Sequence, residues 1–302
     1  MATVLPVGQS VRHSNEQWLI HRGDKIQTPY GSLGHHQNGY SLKNNQEENI
    51  TIRLYLKSPD CRNGFQEVAK LRCLKHPNVA SFMGIFQSDA FVFSGHLKSL
   101  RIFITTTFRK LRDEIPRLLS QTAEALGYVH KKNLVHMELS PGTITVDDEG
   151  DVKLSGLCLP RNATLPMDKE AVQVGDFVYL APEVLSGEIY DRKADVYSFA
   201  GLLLELLYGK RCFENERNWY LDIFIKELSA KKTNVISGYQ EFDPLSESLS
   251  NLVSWCSCTE PTERPDMDLL IPAVANVKDE KILLNISTRK QKNVIRKAKN
   301  MR

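Results

Sequence analysis

Apolar and polar positions alternate in ITIRLYL, Ile50 to Leu56, and the β-branched and aromatic content of the run predicts a strand. The turn-forming SPDCRNG follows, and then FQEVAKLRCLKHPNV, whose apolar residues recur at helical spacing. Strand, turn and helix are expected in that order. A second β-like apolar patch spans Phe82 to Phe93. The period then changes: in IPRLLSQTAEALGYVHKKN, Leu118, Leu119, Ala123, Leu126 and Val129 share one face of a helix that should begin near Ile115. A short strand is expected in DVKLSGLCL, after the turn DDEG, and from Pro182 onward helical signals dominate. A strand-rich first third and a helix-rich remainder, joined near Leu97 to Leu100, predict a two-lobed α+β architecture.

Composition sets the bounds. With 41% hydrophobic and 25% charged residues over 302 positions, the chain can bury a sizeable core. Its longest apolar run, VYSFAGLLLELLY from Val196 to Tyr208, is short for a bilayer and contains Glu205, so no membrane span is expected. The start MATVLPVGQSVRHSNEQW lacks the basic onset and unbroken apolar stretch of a signal peptide, which points to the cytoplasm. Six cysteines, at 61, 73, 158, 212, 256 and 258, include no C-x-x-C pair and no nearby His at zinc spacing, so reduced thiols are expected. The net charge is +3, and the last fourteen residues, RKQKNVIRKAKNMR, hold seven Lys or Arg and no acid. That tail reads as a solvated helix end, a nuclear-localisation signal or a contact for an acidic partner.

Candidate chemistry centres on NLVHMELSPGTITV, Asn133 to Val146. The order His, two variable residues, Leu, a polar residue, Pro and a β-branched run resembles the catalytic loop of the protein kinases, H-R-D-L-K-P-x-N-I-L-I. Other landmarks of that family stand in order along the chain. ITIRLYL resembles the strand V-A-I-K and places Arg53 at its lysine, with Lys57 as a rival; FQEVAKLRCLKHPNV resembles the C-helix, with Glu67 as the acid that pairs with that lysine. GDFVYLAPEV keeps A-P-E at Ala181, Pro182 and Glu183, DRKADVYSFAGLLLELLYGKRCF resembles the central helix of the large lobe, and WCSCTEPTERP resembles the late motif that ends in Arg264. Gly34, His36 and Gly39 in LGHHQNGYS stand either for a glycine-rich phosphate loop or for a simple Gly and Asn turn. Serine-rich details lean toward the tyrosine-kinase-like branch.

The resemblance implies a bilobal kinase-like fold, with a small β-rich N-lobe carrying one main helix and a larger helical C-lobe. The expected division is 1–20 as an N-terminal extension, 21–96 as the N-lobe, 97–277 as the C-lobe and 278–302 as the basic tail. Catalytic function is expected to be degenerate. Phosphoryl transfer rests on positioning and on electrostatic stabilisation by a lysine, metal ions and a carboxylate. Here the strand lysine is Arg53, the catalytic Asp is Glu138, the lysine after it is Ser140, the metal-binding Asn is Thr143, and D-F-G is Gly156, Leu157 and Cys158. Glycine offers no side-chain oxygen, and a neutral hydroxyl is a poor ligand for a hard dication. Glu138 keeps a carboxylate one methylene too long, and a misplacement of about 1 Å can lower a rate roughly a hundredfold.

The adenine slot implied by the resemblance is lined by Ser41, Thr51 and Thr145, all hydroxylated. A buried hydroxyl without a partner costs roughly 1–3 kcal/mol, which would weaken nucleotide binding unless the threonine methyls turn inward. Cys158 is the one reactive candidate near the cleft, with an ordinary buried thiol as its alternative. Residues that organise the fold are kept: Leu71, Phe82, His136, Leu157 and Asp195 for the packing column between lobes, and Glu183 with Arg264 for a buried ion pair. The expectation is a pseudokinase serving as a protein-interaction scaffold or allosteric regulator in signalling, with no metal, at most weak metal-independent ATP binding, and protein partners such as an active kinase or its substrate. No nucleic-acid partner is expected. The alternative is an atypical kinase with residual ATP binding and Ser/Thr or Tyr phosphotransfer.

Overall fold

A computed structural model describes residues 10–13, 16–19, 25–26, 36–43, 46–54, 70–86, 90–95, 97–136, 139–155, 157, 177–186, 188, 191–209 and 245–276. Strands β1 (Ser10–His13), β2 (Glu16–Leu19), β3 (Lys25–Ile26), β4 (His36–Lys43), β5 (Gln46–Leu54), β6 (Phe82–Phe86) and β7 (Ala90–Ser94) form one antiparallel sheet. Its order is β1-β2-β4-β5-β7-β6, with β3 also paired to β4. The β-branched ITIRL segment lies near the middle, in β5, where it is paired on both sides.

Within residues 1–20, expected as an N-terminal extension, β1 and β2 pair with the sheet; SVRH and EQWL are four-residue strands without an apolar run, so periodicity does not reveal them. His36 and Gly39, expected in a loop or turn, lie inside the continuous strand β4, which pairs with β5 from His36↔Arg53 to Lys43↔Gln46.

After β7 the chain passes through Gly95 at φ +89, a conformation that side-chain-bearing residues rarely adopt. It then enters β8 (Lys98–Ser99) and the long helix α1 (Leu100–Lys131). Ser99 caps α1 by accepting a hydrogen bond from Arg101 N. The helix begins at Leu100 rather than near Ile115, because the β-branched run Ile104 to Thr107 masks the helical period in its first turns.

Strands β9 (Thr145–Val146) and β10 (Val152–Lys153) join β8 in a small second sheet. Helices α2 (Pro182–Leu185), α3 (Arg192–Tyr208), α4 (Glu247–Cys256) and α5 (Met267–Asn276) complete the described C-terminal part. Helix α3 starts at the Asp191 cap, whose side chain accepts from Lys193 N at 2.8 Å, and stops at Gly209, φ +62. Every residue from Ala194 to Leu207 is buried, as an apolar helix surrounded by protein must be. Helices α1 and α5 approach closely at Gly127, where a Cβ would lie 2.8 Å from Ile271 Cδ1. One core runs from Leu71 through Leu126, Leu139 and Leu157 to Phe199 and Leu270. Among the described residues no helix is long and apolar enough to cross a membrane.

Candidate functional site

The loop after α1 is anchored from below by α3. The carboxylate of Asp195, fully buried, accepts the His136 main-chain N–H at 2.9 Å and faces His130 Nε2 at 2.8 Å through the same oxygen. Burial alone would push this carboxyl up, but the His130 hydrogen bond, the electrostatic pull of the neighbouring His130 and His136 rings and the His136 N–H hold it below the usual carboxylate range. An ionised acceptor strengthens both bonds.

Farther along, Ser140 and Thr143 close the loop on itself. Ser140 N donates to Thr143 Oγ1 at 3.0 Å, Thr143 Oγ1 donates to Ser140 O at 3.1 Å, and Gly142 N donates to Ser140 Oγ at 3.1 Å. Both residues are buried. The Thr143 hydroxyl is thus held against the main chain of its own loop.

The linker between sheet and helices is stitched on both sides. Thr51, in β5, donates from Oγ1 to Gly95 O at 2.8 Å and accepts from Leu97 N at 2.9 Å. Ser99 Oγ lies 3.1 Å from Pro141 O and 3.2 Å from Gly142 O, while Leu100 N donates to Ile144 O at 2.8 Å. Thr145 Oγ1 donates to Lys153 O. The desolvation penalty expected of the slot threonines therefore does not arise at Thr51 or Thr145, since each buried hydroxyl has a backbone partner. Ser41 pairs with Glu48 and Asn38 with Thr51 in the β4–β5 ladder.

Arg53 lies in β5 between His36 and Phe91, two residues from Thr51 and of the same parity. Gly34, Glu67, Glu138 and Gly156 lie outside the described residues, as does Cys158. In the packing column, Leu71 and Leu157 are buried in one core; Phe82 packs against it and meets Phe93 edge to face, with centroids 5.9 Å apart. His136, buried in the loop after α1, is tied through its main-chain N–H to Asp195 of α3. The parts also meet where HPNV follows the 70–72 helical turn: Ala80 N donates to Leu154 O at 2.9 Å, Leu154 N to Asn78 O at 2.8 Å, and Asn78 Nδ2 to Val152 O at 3.1 Å.

Glu183 and Arg264 form a two-point ion pair, with Nη1 to Oε1 at 2.6 Å and Nη2 to Oε2 at 2.8 Å. Sequence reasoning missed a second buried cluster: Arg101 Nε lies 3.0 Å from Glu205 Oε1, Nη2 lies 3.1 Å from Oε2, and the Tyr179 hydroxyl also donates to Oε2. The signal was present, because Glu205 is the lone acid in VYSFAGLLLELLY and a buried acid needs a partner.

Comparison with known proteins agrees with this layout. The chain is 26% identical over 239 residues to serine/threonine-protein kinase STE20 of Saccharomyces cerevisiae, covering 78% of this chain and 25% of that protein. It is 25% identical over 211 residues to serine/threonine-protein kinase CLA4 of Candida albicans, covering 68% and 21%. A STE20 kinase of Eremothecium gossypii is 24% identical over 246 residues, covering 80% and 24%. The chain spans about a quarter of the length of the curated relatives it matches. Residues 36–273 match the protein kinase domain, and the chain belongs to that family.

Proposed function

We propose that this chain is a pseudokinase, closest in flavour to the tyrosine-kinase-like branch, that acts as a protein-interaction scaffold or allosteric regulator in signalling and transfers little or no phosphate. The observation that carries this reading is the closed loop at Ser140 and Thr143. These positions match the family's lysine and metal-binding Asn, and here they hold neutral hydroxyls, buried and engaged with the loop's own backbone. Such a donor set does not fit a magnesium-bound nucleotide, since a hard dication favours anionic oxygens and Gly156 at the D-F-G position has none.

The groups that hold the fold support the same reading. The Asp195 anchor beneath His136 and the Glu183–Arg264 pair are both in place, so a rigid platform survives where the chemistry has been replaced. A platform of this kind works by binding proteins, an active kinase or its substrate being the natural class in the cytoplasm. The STE20 and CLA4 relatives are serine/threonine kinases by name, and an atypical kinase using Glu138 and Arg53 is the alternative.

The deciding experiment is a phosphotransfer assay with magnesium or manganese, run beside a melting titration with ATP with and without the metal. The expected outcome is no incorporation and no metal-dependent stabilisation. Autophosphorylation abolished by Glu138→Ala would establish the alternative.

A further inference from the structure

The end of α1 is closed by a side chain from the segment that precedes β6. Lys70 Nζ donates to Lys132 O and to Asn133 O, both at 3.3 Å, as a cation at a helix C-terminus does. Beside it, Lys75 N donates to Tyr128 Oη at 2.9 Å, and Lys132 Nζ stands 5.9 Å from the centroid of the same ring. Lys70, Lys75 and Lys132 thus gather around Tyr128, with Arg72 in the same turn as Lys70. Lys70 is half-buried and the others are exposed. Among the described residues none of these cations pairs with a carboxylate, whereas exposed Lys131 and Arg192 pair with Asp268 and Asp266. Glu124, one turn before Tyr128 on α1, acts on His76 and accepts from Ser120 Oγ at 3.4 Å. Cations gathered without counter-charge attract anions.

We propose that Lys70, Lys75 and Lys132 form a docking surface for an acidic peptide segment of a partner protein, laid across the junction between residues 70–77 and the end of α1. Lys70 spends two ammonium donors on the helix end, which fixes it and leaves a third for a carboxylate. A nucleic acid fits less well: Tyr128 is half-buried with its ring centroid 5.0 Å from that of His76, so it offers no open platform for a base. A membrane also fits less well. The large exposed apolar side chains among the described residues, Trp255 and Leu269, belong to α4 and α5 and not to the two segments that carry the lysines. The surface goes beyond the pseudokinase reading: its lysines stand outside the altered loop positions, and phosphotransfer by the chain would leave it intact.

Cys73 is exposed between Arg72 and Lys75 and serves as the reporter. The full chain is titrated at low salt with a decaglutamate peptide, and the rate of Cys73 alkylation by iodoacetamide is read against the peptide-free rate of the same chain. The rate should fall with added peptide and recover at high salt, which screens contacts between exposed charges. In the double variant Lys75→Gln with Lys132→Gln, the half-protecting concentration should rise about tenfold. Both side chains are exposed, so the variant should melt like wild type.

The basic tail is the rival binder of any acidic peptide, and a matched variant separates the two. Lys290→Gln, Lys292→Gln and Lys297→Gln together remove more charge than the double variant does, yet should leave the protection of Cys73 in place. No protection in wild type overturns the surface. So does an equal loss in both variants, which would make the effect one of net charge. Vesicles of phosphatidylserine that protect Cys73 where the peptide does not would overturn it in favour of a lipid contact.

Discussion

Arg264 directs all its guanidinium donors to fixed acceptors, and Glu183 takes two of them. Besides the carboxylate, Nε donates to Cys258 O at 2.8 Å, Nη1 to Lys193 O at 2.9 Å and Nη2 to Thr259 O at 3.0 Å. The guanidinium also stands 5.0 Å from the centroid of the Tyr197 ring. One side chain thereby ties α2, the start of α3 and the segment between α4 and α5.

Arg264→Ala should therefore leave Glu183 charged and buried, a loss of roughly 3–5 kcal/mol for a broken buried pair. Arg264→Lys should recover only a minor part, because an ammonium cannot reproduce the planar five-donor fork. Denaturant melts of soluble protein check both. An Arg264→Ala chain as stable as wild type would show that the pair contributes nothing.

Acid should loosen the junction in two stages. Burial holds the His76 imidazole below its usual value, against the upward pull of Glu124, and neutral Nδ1 accepts the Asn78 N–H at 3.1 Å. A depressed folded pKa means the stabilisation is complete above the unfolded value of about 6.5 and is lost as pH falls through the folded one. Asp195, also depressed, contributes fully above about 4 and is lost below that. Histidine NMR titration is the check: His76 should titrate below its unfolded value, with amide protection around Asn78 falling in the same window. A value at or above the unfolded one refutes the first stage.

Thiol reactivity should follow burial. Cys256 is buried and its thiol is pushed up to about 12 by loss of solvent, whereas Cys73 is exposed. Since the thiolate is the nucleophile, iodoacetamide at mildly alkaline pH should modify Cys73 in the native chain and reach Cys256 only after denaturation. Peptide mapping before and after denaturant reads this directly. Equal labelling of both in native protein would contradict the packing of α4.

Long-range order was legible where chemistry and period coincide. DRKADVYSFAGLLLELLYG carries its cap, its apolar run and its terminating glycine in sequence, and α3 occupies that segment. Glu183 and Arg264 could be paired because two ordered motifs fix their registration, although 81 residues separate them. What stayed hidden depends on partners remote in sequence. Nothing local in ITIRLYL says that Thr51 will meet Gly95 and Leu97, and the pairing of Ser41 with Glu48 depends on a register that only the β4–β5 ladder sets. The short strands β1 and β2 exist through pairing, with too few residues for a period to show.

The Arg101–Glu205–Tyr179 cluster gives the last prediction. The side chains of Arg101 and Glu205 are 14% and 5% exposed, and Arg101 N also donates to Pro141 O at 2.7 Å, so the cluster fixes the start of α1 against both α3 and the closed loop. Arg101→Ala should destabilise the chain by roughly 3 kcal/mol, because Glu205 is left buried with its charge uncompensated. The triple replacement Arg101→Met, Glu205→Met and Tyr179→Phe should regain most of that loss, since apolar groups of similar volume often match or exceed a buried ion pair. Hydrogen exchange at Leu100 and Arg101 separates global from local effects. Arg101→Ala should speed both amides, and the triple variant should restore protection. If Arg101→Ala melted like wild type with unchanged exchange, the ion pair would not be what holds the linker to the helical core, and Ser99, the β8–β9 ladder and the main-chain bonds from Leu100 N and Arg101 N would hold it instead.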